Sequence, residues 1–156
     1  MKYQITTMTL DRYDELIAFW RSAEGLWISD DDDYDNLQRF LQRNPDLSLI
    51  VLHDSRIIGA IKCSHDGRRG YLHHLAIKNE FRNRGIGREL VEKCVKNLQK
   101  EGIRKIRVFV LDSNTAGLRF WQHMGFSEQI YDYRTLALVP NCGNQRHFSS
   151  PLGGED

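Results

Sequence analysis

Tyr71–Gly87, YLHHLAIKNEFRNRGIG, holds an apolar strand, a short turn and a glycine-opened helix start. Tyr71, Leu72, Leu75, Ala76 and Ile77 form the strand, and an amphipathic helix follows the turn. Gly85 and Gly87 carry no Cβ, so the backbone of Arg82-x-x-Gly85-x-Gly87 can come close to a ligand. The first amides of the helix have no intrahelical partner, and the positive end of the helix dipole lies with them. Arg82, Arg84 and Arg88 add fixed positive charge. That chemistry suits a pyrophosphate. Standing alone, R-x-x-G-x-G more often marks only the beginning of a helix. The continuous strand before it and the amphipathic helix after it argue for the ligand.

A second element lies downstream: Asn114-Thr115-Ala116, then Phe120-Trp121-Gln122-His123-Met124-Gly125-Phe126. Together the two segments resemble the acetyl-CoA-binding and C-terminal motifs of the GNAT superfamily of N-acetyltransferases. The match is close from Tyr71 to Phe126 and holds elsewhere only by pattern. The resemblance implies a mixed α/β fold: a twisted mixed sheet of six to seven strands flanked by about four helices. Two central parallel strands should splay apart and admit the cofactor. It also implies acetyl-CoA as cosubstrate and direct transfer to a primary amine in a ternary complex, with no metal.

Carried onto this chain, the resemblance makes Arg82, Asn83, Arg84, Gly85, Ile86, Gly87 and Arg88 the cofactor-binding loop and places the pyrophosphate on the amides of Arg84 through Arg88. The pantetheine arm runs along Leu75, Ala76 and Ile77 like an added strand. The family usually has a bulge there, which makes the backbone amide of Leu75 the candidate oxyanion donor; one such donor is worth roughly 3–4 kcal/mol. Asn114 either bonds the pantetheine amide or caps the next helix as an Asx turn. Phe120 and Trp121 pack against the core and the pantetheine arm. Many relatives have a thiolate-protonating tyrosine where this chain has Trp121, and an indole is not a usable acid. Either CoA leaves as a thiolate that water protonates, or another residue serves, with Tyr131 and Tyr133 as candidates.

An acceptor amine with a pKa near 10.4 must lose a proton before it attacks. His73 is the first candidate base, since the family often projects one from this strand and imidazole has a suitable pKa. A hydrogen bond to a neighbouring strand or loop is the competing reading of His73. In a regular strand His74 points to the opposite face and is the second candidate.

The remaining sequence bounds these readings. The 156 residues suit one domain, with 40% apolar and 28% charged residues. A formal charge of +1 argues against broad nucleic-acid binding. Cys63, Cys94 and Cys142 are an odd count without C-x-x-C or metal-ligand spacing, as expected of reduced thiols in the cytoplasm. No signal-peptide pattern or membrane-length apolar run is visible. A monomer and a homodimer both remain open.

Periodicity predicts a strand over 3–8, then a helix to about Glu24 with Thr9 as N-cap. A second helix spans about 34–43. Strands follow over 47–53, 56–64 and 71–77, a helix over 85–100 and a strand at Ile106–Val110. The last elements are a helix over 115–124 and a strand over about 128–138. One domain should cover 1–139, and 140–156 reads as a flexible tail rich in Asn, Ser, Gly and Pro.

Gly25–Asp35, GLWISDDDDYD, falls where the family's variable substrate segment lies. Asp30, Asp31 and their neighbours suit a cationic acceptor, with Trp27 and Tyr34 as aromatic walls. The simpler reading of the same acids is a solvated run favouring the next helix start. Two rival functions stand beside the transferase. A dinucleotide-binding domain needs G-x-G-x-x-G early in a parallel βαβ unit, which is lacking here. A non-catalytic acyl-CoA sensor on the same scaffold would turn nothing over.

Overall fold

A computed structural model describes residues 1–129, 135–138 and 140. Met1–Phe126 forms one unit and Ser127–Asp156 a second. Every regular element among the described residues lies in the first. The strands are β1 (Gln4–Thr7), β2 (Leu49–His53), β3 (Arg56–His65), β4 (Gly70–Ile77) and β5 (Ile106–Val108). The helices are α1 (Tyr13–Ser22), α2 (Tyr34–Arg43), α3 (Ile86–Lys100) and α4 (Thr115–His123). No helix among the described residues is long and apolar enough to cross a membrane.

The sheet runs β1-β2-β3-β4-β5, antiparallel from β1 to β4 and parallel between β4 and β5. One face is covered by α3 through Ile86, Leu90, Val91, Cys94 and Leu98, which meet Leu49, Val51, Ile61, Cys63 and Leu72. The other face takes α1 through Leu16, Ile17, Phe19 and Trp20, and α2 through Leu37, against Ile50, Ile57, Ala60 and Ala76. Cys63 and Cys94 are buried free thiols, and Cys94 contributes to Cys63's elevated pKa through a hydrogen bond. Cys142 lies outside the described residues.

Three departures from the sequence reading have physical causes. Among the described residues the sheet has five strands rather than six to seven; 128–129 and 135–138 are irregular, and the intervening part of the expected last strand lies outside the described residues. The candidate acids Tyr131 and Tyr133 and most of 140–156 lie outside them too. Thr9 does not cap α1: its hydroxyl bonds the Asp11 carboxylate, and a 3₁₀ turn at Leu10–Arg12 precedes the helix. α2 does start on a side-chain cap: Asp33 accepts from the Asn36 amide at 2.9 Å.

The third departure decides the site. Lys62 is registered opposite His73 and Ala60 opposite Ala76, so His74 and Leu75 together face Ile61 alone. This is a bulge, and His74 sits in it with φ 52°. Leu72, Leu75 and Ile77 therefore pack on the α3 side, whereas Ala76 packs on the α1 side. His74 was expected opposite His73. The extra residue instead turns it toward Trp20, whose indole N–H donates to the His74 carbonyl at 2.9 Å.

Candidate active site

Pairing of β4 with β5 covers only Gly70–Leu72 against Ile106–Val108. Past Leu72 the two strands part. A cleft of about 680 Å³ opens there, walled by Leu75, Ala76 and Ile77 on one side and by α4 on the other. Its floor is the turn from Phe81 to Arg88. Asn83 (φ 60°) and Gly85 (φ 80°) both adopt left-handed backbone, which carries the chain round into α3. Gly85 is the N-cap and has no side-chain cap bond. No side chain therefore competes for the amides that open α3.

The two glycines are there for different reasons. Gly85 needs its freedom for the positive φ. Gly87 does not: a Cβ there would lie 3.4 Å from the Phe120 ring, an ordinary contact. The fold tolerates a side chain at Gly87, but the cleft would lose room.

Of the expected cofactor residues, Leu75, Ala76, Ile77, Arg82, Asn83, Gly85, Ile86, Gly87, Arg88, Asn114, Phe120 and Trp121 all line this one cleft. Arg84 does not. Its guanidinium turns back to the Glu80 carbonyl and the Phe81 ring. Arg82 donates to the Ile77 carbonyl at 3.1 Å, tying the turn to the end of β4. Arg88 pairs loosely with Glu92 at 3.6 Å, an exposed pair of small energetic weight. Trp121 is buried edge-on between Phe120 and Phe126.

Asn114 caps α4 by accepting from the Gly117 amide at 2.9 Å, and its side chain also stands at the cleft. A Cβ on Gly25 would fall 2.6 Å from its Nδ2. Gly25 adopts left-handed backbone (φ 77°), and its bare Cα is what admits the Asn114 amide.

A second cavity of about 270 Å³ adjoins the first through Gly25, Leu75, Asn114 and Trp121. Trp27, His73, His74 and Phe109 line it. The rings of Tyr71, His73 and Phe109 lie nearly parallel, 6.1 to 6.4 Å apart. Burial, then the charge of Lys62, pushes the His73 imidazole down to about 4, so it is neutral at physiological pH.

The acidic segment does not act as a unit. Trp27 reaches the His73 cavity, but Asp31 faces a separate hollow on α2, and Tyr34 packs edge-on against Tyr13. Asp30 opens a 3₁₀ turn, and its carbonyl accepts from Asn36. Asp32 is only 4% exposed. Its Oδ1 meets Nζ of Lys62 at 2.8 Å and its Oδ2 meets Nε2 of His74 at 2.9 Å. Burial pushes its carboxyl up, but the His74 hydrogen bond and the Lys62 ammonium win and hold it at about 2. Neither sequence reading of the acids, a cationic acceptor site or a solvated run, anticipated this cluster. A lysine inside the apolar run of β3, IIGAIKC, was the available signal, because a buried charge requires a counter-charge.

A sequence profile described as the Acetyltransferase (GNAT) family matches residues 12–126. An acetyltransferase of Sodalis glossinidius is 28% identical over 126 residues, 81% of this chain and 88% of its own length. An acetyltransferase of Pectobacterium atrosepticum is 28% identical over 123 residues, 79% and 86% of the two chains. The PaiA N-acetyltransferase of Thermoplasma acidophilum, solved in complex with coenzyme A, superposes with a TM-score of 0.74 at 23% identity, covering 85% of this chain and 94% of that one. At that identity the likeness concerns the fold.

Proposed function

Because this chain belongs to the acetyltransferase (GNAT) family, we propose that it is the enzyme that moves an acetyl group from acetyl-CoA directly onto a primary amine in a ternary complex. The observation that carries the reading is the cleft where β4 leaves β5, floored by uncapped amides of α3 and joined to a histidine-lined cavity.

The cofactor diphosphate rests on the amides of Gly85 to Arg88, where dipole and N–H groups favour an anion. The pantetheine arm follows Leu75 to Ile77, whose β5-side pairing ends at Leu72. Asn114 keeps its side chain at the arm while capping α4. The thioester then lies beside the His73–His74 cavity. There the acceptor amine approaches past Trp27 and loses its proton to a histidine of that cavity. The amine nitrogen attacks the carbonyl carbon, the C–N bond forms, the C–S bond breaks and CoA leaves as a thiolate that solvent protonates. The Leu75 amide is the oxyanion donor. Positioning of two bound reactants supplies much of the rate, so no enzyme nucleophile is needed.

Release of free CoA thiol from acetyl-CoA across an amine panel tests this reading. Amine-dependent thiol release supports the enzyme. Tight acetyl-CoA binding with no release for any amine supports the acyl-CoA sensor instead.

A further inference from the structure

The bulge in β4 brings two imidazoles to one cavity, and their surroundings differ. His73 has aromatic neighbours in Tyr71 and Phe109. His74 is held at three points. Its carbonyl accepts the Trp20 indole N–H, its ring meets Trp20 edge-on with centroids 5.3 Å apart, and its Nε2 lies 2.9 Å from Asp32 Oδ2. An ionised carboxylate only accepts, so the Nε2 position carries the proton. In the neutral ring the lone pair is therefore on Nδ1. That atom makes no hydrogen bond among the described residues, and none of their buried polar side-chain atoms goes without one, so Nδ1 keeps some contact with solvent. The His74 side chain is 18% exposed, and the residue lines the cavity next to the cleft.

We propose that Asp32 is a positioning residue that fixes His74 in its Nε2–H form, and that Nδ1 of His74 is the base that takes the proton from the acceptor ammonium. The assignment rests on the acetyl-transfer reading of this site. The balance is simple: one proton passes from the ammonium to Nδ1 and then to solvent. The attacking amine's second proton passes to solvent, and solvent protonates the departing CoA thiolate. Asp32 stays ionised throughout. The charged groups facing His74 are Asp32 from the segment before α2, Lys62 from β3 and His73 from β4. Lys62 occupies the other oxygen of Asp32 and offsets its charge. Asp32 thus chiefly orients the ring, as the carboxylate of a Ser-His-Asp triad orients its histidine.

Two readouts test the assignment on the full chain. Long-range ¹H–¹⁵N correlations give the His74 tautomer at pH 8. Then kcat/KM is measured for acetyl transfer to propylamine, charged at neutral pH, and to methoxyamine, which is not. The wild-type ring should carry its proton on Nε2, and Asp32→Asn should erase that preference. His74→Gln, which can still donate to Asp32, should lower transfer to propylamine by about 100-fold and spare methoxyamine. Asp32→Asn should show the same split. A proton on Nδ1, or equal losses for both amines, overturns the proposal. The tautomer needs no variant to be measured. Wild-type protein that binds CoA yet acetylates neither amine counts against the transfer reading, and the tautomer still decides the Asp32–His74 pairing.

Discussion

At the scale of single residues, His73 joins the site's chemistry to the stability of the chain. The unfolded chain takes a proton on this imidazole below its ordinary value of 6.5, and the folded chain refuses it down to about 4. Between those values the unfolded state binds more protons, so acidification favours it. Stability should fall from pH 6.5 to 4 by up to about 3 kcal/mol on account of His73. Urea titrations across that window check it: His73→Asn should flatten the slope, and an unchanged slope would contradict the burial argument. Gly25 offers a second test. Gly25→Ala places a Cβ 2.6 Å from Nδ2 of Asn114 on a backbone with φ 77°. It should cost more than about 1 kcal/mol, because the strain adds to the clash. In a double-mutant cycle with Asn114→Ala the two losses should be clearly less than additive. Additive losses would mean that the two groups do not meet.

At the scale of elements, what was legible depended on whether local chemistry fixed the answer. The α2 boundaries follow from sequence because Asp33 caps one end and Asn44-Pro45 closes the other. The α3 face was legible because Ile86, Leu90, Cys94 and Leu98 recur at helical spacing, and all four are buried. Leu90→Ala should therefore cost about 2–5 kcal/mol in a denaturant melt, and a loss under 1 kcal/mol would place α3 outside the core. The bulge was not legible. A period of two sends neighbouring side chains to opposite faces, and nothing in the pair His73-His74 announces a left-handed residue. The partners of Asp32 were hidden likewise, since Lys62 and His74 reach it over 30 and 42 positions of chain. The direction of the Arg84 side chain was hidden for a third reason: a motif fixes where its backbone runs, whereas the long side chain was free to turn to the Glu80 carbonyl and the Phe81 ring.

At the scale of the molecule, two cores on opposite faces of one sheet hold β4 between them, and β4 carries both halves of the site. Its α3 side ends at the glycine turn, and its α1 side presents the histidines. A ligand that binds only the folded chain should stabilise it by mass action, by about 2.7 kcal/mol at a hundredfold excess over Kd, and so raise its melting temperature. The central claim is that the glycine turn grips a diphosphate, and Gly87 tests it most directly because the fold itself does not require glycine there. The measurement is calorimetric titration of coenzyme A into the wild-type chain and into Gly87→Ala. The account predicts saturable heat for the wild type and at least about a tenfold weaker Kd for the variant, which should melt no lower, since alanine is the better helix former. Absence of heat with the wild type, or an unaltered Kd in a folded Gly87→Ala, would contradict it.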